Sequence, residues 1–301
     1  MSFKHTPYDG SKQPFTVGLE PVSEAFWLEP DDHIAEHLER KGELLRSNRD
    51  AVFRAEADTE QAQQETLALV VDHLQRCHAE RYDLSAELPR PRGLTSSAFQ
   101  DDDAPLVVAA QMVQEDLVLM RPSPEGYRLA AACLCFPSSW SLVQKFGQSM
   151  HDIHLGVPGF NGARMGHVVG RIFENLKTGQ LIERYNWSIY DDPDLHHPQP
   201  KRIATDTAEE DAALLGRLFL RVERQTLRRL EGTGDIVFTI KVHHDPMSAL
   251  RAHPRSSELA NGLRQQLLDL EPDQLAYKGL TEHQSRLADA LQDLSPPSTV
   301  A

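Results

Sequence analysis

The sequence predicts an α+β protein: a PAS-like five-stranded antiparallel sheet with helices on one face, plus N-terminal and C-terminal helical flanks. Three observations carry this expectation. Residues 116–121 (DLVLMR) and 127–136 (YRLAAACLCF) are short apolar runs on either side of the turn sequence PSPEG, which is a hairpin signature. Residues 181–190 (LIERYNWSIY), 219–230 (FLRVERQTLRRL) and 235–243 (DIVFTIKVH) are strand candidates rich in Ile, Val, Phe, Tyr and Thr. Between these groups, residues 141–177 show helical periods broken by Gly156, Pro158, Gly159 and Gly162, which predicts several short helices. Two strands, helices and three strands give a layout in which helices cover one face of a curved sheet. Such a face leaves an apolar cleft suited to a small molecule or a flat cofactor.

The remaining elements follow in chain order. The first 30 residues carry Pro14, Pro21, Pro30, Gly10 and Gly18 among a few apolar anchors, and they read as an extended arm packed on something else. After it, Ile34, Leu38, Leu44 and Leu45, then Leu67, Val70, Val71 and Leu74, recur at helical spacing. The polar, proline-containing stretch 87–105 separates these two amphipathic helices from the sheet. A helix is expected over 207–216, the last 55 residues read as mainly helical, and the tail SPPSTVA reads as disordered. The expected division is an arm and helical flank over 1–105, a PAS-like core over 106–245, and a helical flank with its tail over 246–301.

Composition narrows the function. The chain of 301 residues carries 31 Lys+Arg against 45 Asp+Glu, a net charge of −14. Without a basic cluster, this excess argues against nucleic acid and anionic membrane surfaces as partners. The longest apolar run, 129–136, is far short of the ~20 residues that cross a bilayer. The start MSFKHTPYDG has no apolar signal core, so the cytoplasm is the expected compartment. Three Cys cannot build a disulfide framework.

A few residues are candidates for chemistry. His154 and His151 lie just before a Gly/Pro-rich turn, which can aim an imidazole at a metal or haem; His167 shares this reading, and from spacing alone a capping or surface histidine is the better reading of each. Cys133 and Cys135 share a strand face but lack a second ligand pair, so buried thiols are the better reading. The His pairs 196/197 and 243/244, and His73 with Cys77 and His78, also lack completing ligands. Alternation along 218–227 puts Arg224 on one face with Leu218, Leu220 and Val222, while Arg221 and Glu223 point the other way. The apolar stripe should turn toward the cleft, so Arg224 either stabilises an anionic or oxygen-derived ligand there or pairs with Glu183. Glu183 and Tyr185 share a face of residues 181–190 and should look toward the same region. No nucleotide-binding, haem-attachment or iron–sulfur motif is visible.

Seven blocks resemble a known family. PF-x-x-GL-x-P at Pro14, WLEPD at Trp27, CFPS-x-W at Cys135, IH-x-x-VPGF at Ile153, NWSI at Asn186, RVERQTLRRL at Arg221 and AYKG at Ala276 are similar, in order, to the haem-dependent oxidative N-demethylase α-subunit family. The resemblance spans about residues 14–280. It implies a haem-b-binding PAS fold that uses O2 to oxidise a small secondary amine such as dimethylamine, releasing formaldehyde. It implies partner subunits with FMN, a 2Fe-2S cluster and tetrahydrofolate, fed by an NADPH-dependent reductase. It points to His154 as the proximal haem ligand and to Arg224 as the distal group; the alternation along 181–190 adds Tyr185 and Glu183 as catalytic candidates beside it. The family usually has Pro or a similar residue where Gly156 stands. The alternative class is a haem-binding PAS sensor or a non-catalytic binding protein.

Overall fold

The computed structural model describes residues 3–94, 103–161, 164–204 and 211–294. The elements run in chain order as β1 (Glu20–Pro21), α1 (Ile34–Ser47), α2 (Arg49–Val52), β2 (Phe53–Ala55), α3 (Glu60–Cys77), β3 (Tyr82–Asp83), β4 (Arg90–Pro91), α4 (Pro105–Ala110), β5 (Asp116–Ser123) and β6 (Gly126–Cys133). They continue as α5 (Leu142–Lys145), α6 (Met150–Ile153), α7 (Arg164–Asn175), β7 (Leu181–Tyr190), α8 (Asp211–Arg217), β8 (Phe219–Arg229), β9 (Ile236–Pro246), α9 (Ser256–Leu268), α10 (Pro272–Lys278) and α11 (Gln284–Gln292). A 3-10 helix, Met247–Ala252, links β9 to α9, and a shorter one, Glu24–Phe26, follows β1.

The main sheet has seven strands in the order β1-β7-β8-β9-β5-β6-β2, where five were expected. The five expected strands form its contiguous centre, and every neighbouring pair is antiparallel. The two additions, β1 and β2, are edge strands of two and three residues. Segments that short carry no alternation, so residue pattern cannot announce them. The expected linker 87–105 and the expected helix 207–216 fall partly outside the described residues, and the expected disordered tail lies wholly outside them.

Helices cover both faces of the sheet rather than one. On the front, α5, α6 and α7 pack over Val118, Met120, Leu129, Leu227, Ile236 and Ile240. On the back, α1, α3 and α4 bury Leu117, Leu119, Ala131, Cys133 and Val237, while α8 to α11 bury Trp187, Ile189, Leu220 and Val222. The flanks are therefore the second layer of the same sheet. Alternation explains the division, because consecutive residues of each strand serve opposite cores.

Two contacts position the site. The Asp116 carboxylate, fully buried, accepts hydrogen bonds from the backbone N–H groups of Cys135 (2.9 Å) and Phe136 (2.7 Å). It fixes how the chain leaves β6, and Arg221 then holds the same bend by donating to Phe136 O (2.8 Å), Leu195 O (3.0 Å) and Ser138 Oγ (2.8 Å). In the C-terminal layer the N-terminal arm crosses α9 at Gly262, where an added Cβ would stand 2.4 Å from the Asp9 carbonyl carbon. Only glycine allows that approach.

Gly262→Ala should therefore destabilise the protein by about 1–3 kcal/mol, the usual range for overpacking, and expose the arm to protease. Urea denaturation and limited proteolysis check this; wild-type stability and wild-type cleavage would contradict the arm's docking.

Candidate functional site: a cavity between sheet, short helices and arm

A cavity of about 660 Å³ lies on the front of the sheet, closed by α5 to α7 and by the N-terminal arm. This is within the roughly 300–1,000 Å³ typical of small-molecule and cofactor sites. Its apolar wall is built by alternation on the strands, with Val118 and Met120 of β5, Leu227 of β8, and Phe238 and Ile240 of β9. The facing wall comes from α7, where Met165, Val169 and Phe173 recur every four residues and share one helix face. The arm contributes Pro14, Phe15 and Leu19.

His154 stands in this cavity directly after α6. Ser149 caps that single turn by accepting from Asp152 N–H (3.2 Å), and the chain then folds back through Gly159, whose φ of +69° is left-handed. The His154 ring lies flat against Phe160, with centroids 3.9 Å apart and planes 10° apart. Its Nδ1 bonds to Met150 O at 2.8 Å. Burial lowers its pKa to about 4, against the opposing effect of the Met150 carbonyl, so the ring is neutral at pH 7. With Nδ1–H committed to a carbonyl, Nε2 carries the lone pair, which is the tautomer a metal-binding histidine needs. The turn does not depend on Gly156, which has open space around it and no left-handed φ. It depends on Gly166, where a Cβ would stand 2.7 Å from Phe160 O.

Of the three histidines proposed from sequence, the structure brings only His154 to this cavity. His151 and His167 are exposed and line a separate cavity of about 530 Å³ beside the β5–β6 turn. Cys133 and Cys135 are both buried, unpaired thiols.

The other end of the cavity is polar. Glu223 of β8 accepts hydrogen bonds from Gln225 Nε2 (3.0 Å) and Asn186 Nδ2 (3.3 Å), and is 6% exposed. Arg184 of β7 also lines it, with its Nε buried and without a hydrogen-bond partner. Burial opposes the Arg184 charge, and Glu223 and Tyr277 partly offset that effect. Lys278, at the end of α10, reaches in from the back layer. In a chain of net charge −14, this end is unusual in presenting Arg184 and Lys278 with neither in an ion pair among the described residues. An unpartnered guanidinium beside an apolar wall is a place for an anionic group of a bound molecule.

Arg224, expected in the cleft, is on the back of the sheet. The phase of alternation along β8 is the reverse of the expectation: Glu223, Gln225 and Leu227 face the cavity, and Arg224 does not line it. Arg224 is 1% exposed, and it donates to Glu183 Oε2 (2.8 Å) and Trp27 O (3.0 Å) and to the carbonyl of Phe26 (2.5 Å). Glu29 lies 3.7 Å away. The expected apolar stripe of Leu218, Leu220 and Val222 is real, but it is covered by the C-terminal helices. Glu183 is on the back with Arg224, opposite it across the strand pair by two residues. Tyr185 shares that face yet reaches the cavity's rim, because β1 pairs with only two residues of β7 and leaves the edge open beside it.

On the same face as Arg224, His5 Nε2 lies 2.8 Å and His243 Nε2 3.6 Å from Glu29 Oε2. Their ligand atoms fall within 4.8 Å of one another, the one such group among the described residues. Lys4 (3.1 Å from Glu29) and Arg224 already compensate this carboxylate, which makes the group an ion-pair hub. Burial would raise the Glu29 pKa, but His243, His5 and Arg224 outweigh it and hold the group well below the usual carboxylate range. Several of the remaining histidines are tied to backbone, as in His196 Nδ1 with Cys135 O at 2.8 Å and His78 Nε2 with Leu28 O at 3.0 Å.

Arg224→Ala should destabilise the fold because it strands Glu29 and Glu183. Breaking a buried pair costs roughly 3–5 kcal/mol, and the partial exposure of Glu183 puts the expectation at or below the lower end. Chemical denaturation reads this directly; a loss under about 0.5 kcal/mol, the size expected of a surface substitution, would show that the cluster is not structural.

A family model described as haem-dependent oxidative N-demethylase, alpha subunit-like, matches residues 18–288.

Proposed function

The chain belongs to the haem-dependent oxidative N-demethylase alpha subunit-like family, and from that premise we propose that it binds haem b in the front cavity through His154 and N-demethylates a small secondary amine of the dimethylamine kind, releasing formaldehyde. The observation that carries the reading is His154: a half-buried neutral imidazole, oriented through Nδ1, at one end of an apolar cavity of suitable volume. The donor set fits a haem. Apolar strand and α7 side chains suit the macrocycle, and the unpartnered Arg184 suits a carboxylate at its edge. A PAS-type core is supported by the order of the five central strands, in which the third, fourth and fifth precede the first and second across the sheet.

Bound haem would supply the iron that activates O2 and accepts electrons from the amine. The chain's own residues do the rest. Glu223, held by Asn186 and Gln225, offers a carboxylate to an alkylammonium, and the apolar wall accommodates its methyl groups. Arg184 offsets that carboxylate and any negative charge that develops in the cavity. Phe15 and Tyr277, with ring centroids 5.9 Å apart at an angle of 71°, help to exclude water at the arm's side. With Arg224 on the back face, the roles proposed for it and Glu183 are positioning ones, while Tyr185 at the rim is placed to touch an entering molecule.

An alpha-subunit-like chain implies a multi-subunit enzyme. We propose that FMN, a 2Fe-2S cluster and tetrahydrofolate reside on partner subunits, fed by NADPH, with the cytoplasm as the site of action. Among the described residues no helix is long and apolar enough to cross a membrane.

Titration of the full chain with haem b should give a saturable Soret band that survives desalting. In His154→Gly the band should be lost or shifted, and external imidazole should restore it; His151→Ala and His167→Ala should leave it unchanged. A Soret band indifferent to His154→Gly would overturn the ligand assignment. In turnover with O2, the partner subunits and dimethylamine, Glu223→Gln should raise KM for the amine roughly 10- to 100-fold, the value of one charge-assisted contact. An unchanged KM would remove Glu223 from amine recognition.

A further inference from the structure

Three lysines of the fold are almost fully buried, and they are not alike. Lys41 Nζ donates to Val113 O (3.0 Å) and to the carbonyl of Glu115 (2.5 Å), and lies 3.6 Å from the Asp116 carboxylate. Lys241 Nζ lies 2.7 Å from the Asp31 carboxylate and 3.0 Å from Gln114 Oε1. Each of these ammonium groups is compensated, as burial of a charge requires. Lys278 is 3% exposed and has no carboxylate within ion-pair distance among the described residues. Its Nζ donates to one carbonyl, Trp187 O at 2.6 Å, and otherwise sits 4.4 Å from the Trp187 ring centroid and 5.1 Å from that of Phe15.

Lys278 is also the one of the three that lines the cavity. The charged groups that act on it are Glu223, which favours its ammonium, and Arg184 and the neighbouring Lys201, which oppose it. Donating a single hydrogen bond, to Trp187 O, leaves a neutral amine its lone pair. A desolvated amine that opens into a cavity is the environment in which a lysine becomes a nucleophile toward carbonyl carbon.

We propose that Lys278 is a carbonyl-reactive amine that captures a small aldehyde in the cavity, forming a reversible carbinolamine and imine. The Nζ lone pair attacks the carbonyl carbon, the C=O π pair moves to oxygen, and oxygen takes up a proton as nitrogen gives one up. Loss of that oxygen as water leaves the imine, and hydrolysis returns the free amine and the aldehyde, so no oxidant or reductant is consumed. The choice of a one-carbon aldehyde rests on the N-demethylation reading above, which releases formaldehyde into the same cavity. Capture there would hold the aldehyde away from other nucleophiles until it leaves.

The test supplies formaldehyde directly and involves neither haem nor amine turnover, so its failure is distinct from failure of the demethylase reading. The full chain is treated at pH 6.5 with limiting formaldehyde and cyanoborohydride, which traps the imine as a methylated lysine, and each lysine is read by peptide mass spectrometry. At this pH a freely solvated lysine is neutral to about one part in 10⁴, whereas burial lowers the pKa of Lys278 to about 7 and leaves about a quarter of it neutral. Lys278 should therefore label at least tenfold faster than Lys177, and the site should disappear in Lys278→Arg with the label on Lys177 unchanged. Labelling of Lys278 no faster than Lys177 in the wild-type chain would overturn the proposal, whether or not the variant folds. Preferential labelling of Lys201, which burial also shifts downward but which does not line the cavity, would overturn it equally.

Discussion

The pairing of Arg224 with Glu183 and Glu29 on the back of the sheet sets the phase on which the rest of the site depends. A guanidinium that is 1% exposed must be neutralised where it lies, and two carboxylates and two backbone carbonyls do so beneath the segment Phe26–Glu29. Because side chains alternate strictly along a strand, fixing Arg224 on the back commits Glu223, Gln225 and Leu227 to the front. The polar end of the cavity follows from that commitment, and so does the apolar wall that continues from it through Leu227 to Phe238 and Ile240. The same hub ties the N-terminal arm to the sheet through Lys4 and His5, so the arm closes the cavity on one side while its charges are satisfied on the other.

The cavity combines three chemistries that rarely meet by accident: a neutral imidazole with its Nδ1 anchored, a broad apolar wall, and a polar end with more cationic than anionic groups. Each has a different structural source. The imidazole is aimed by a one-turn helix and a glycine turn, the wall by alternation in the central strands, and the polar end by residues from β7, β8 and α10. Because α10 belongs to the back layer, the C-terminal helices do more than cover the sheet: Lys278 brings a functional group around its edge.

Much of this was legible in the sequence. The five central strands were readable because each carries enough β-branched and aromatic residues to register, and the short helices over 141–177 because glycine and proline break the period. His154 was readable as a candidate because a Gly/Pro turn follows it, though spacing alone does not separate it from His151 and His167; the family resemblance favours it, and of the three it alone lines the front cavity. What was not legible was which of two cores a strand face serves. Leu218, Leu220 and Val222 form a genuine apolar stripe, and sequence alone cannot say whether it meets the cavity or the C-terminal helices. Arg224 was therefore assigned to the wrong face, although its pairing with Glu183 was a stated alternative. Glu223 and Arg184 were missed for the same reason. The signal that could have found them is that a strand with buried polar residues on both faces must find partners on both.

The most direct test of the central claim is resonance Raman spectroscopy of the ferrous, haem-loaded chain. The iron–histidine stretching band should be present in the wild type, move when histidine is labelled with ¹⁵N, and vanish in His154→Gly. A band that persists unchanged in His154→Gly would place the iron on another residue and contradict the account of the cavity given by the fold.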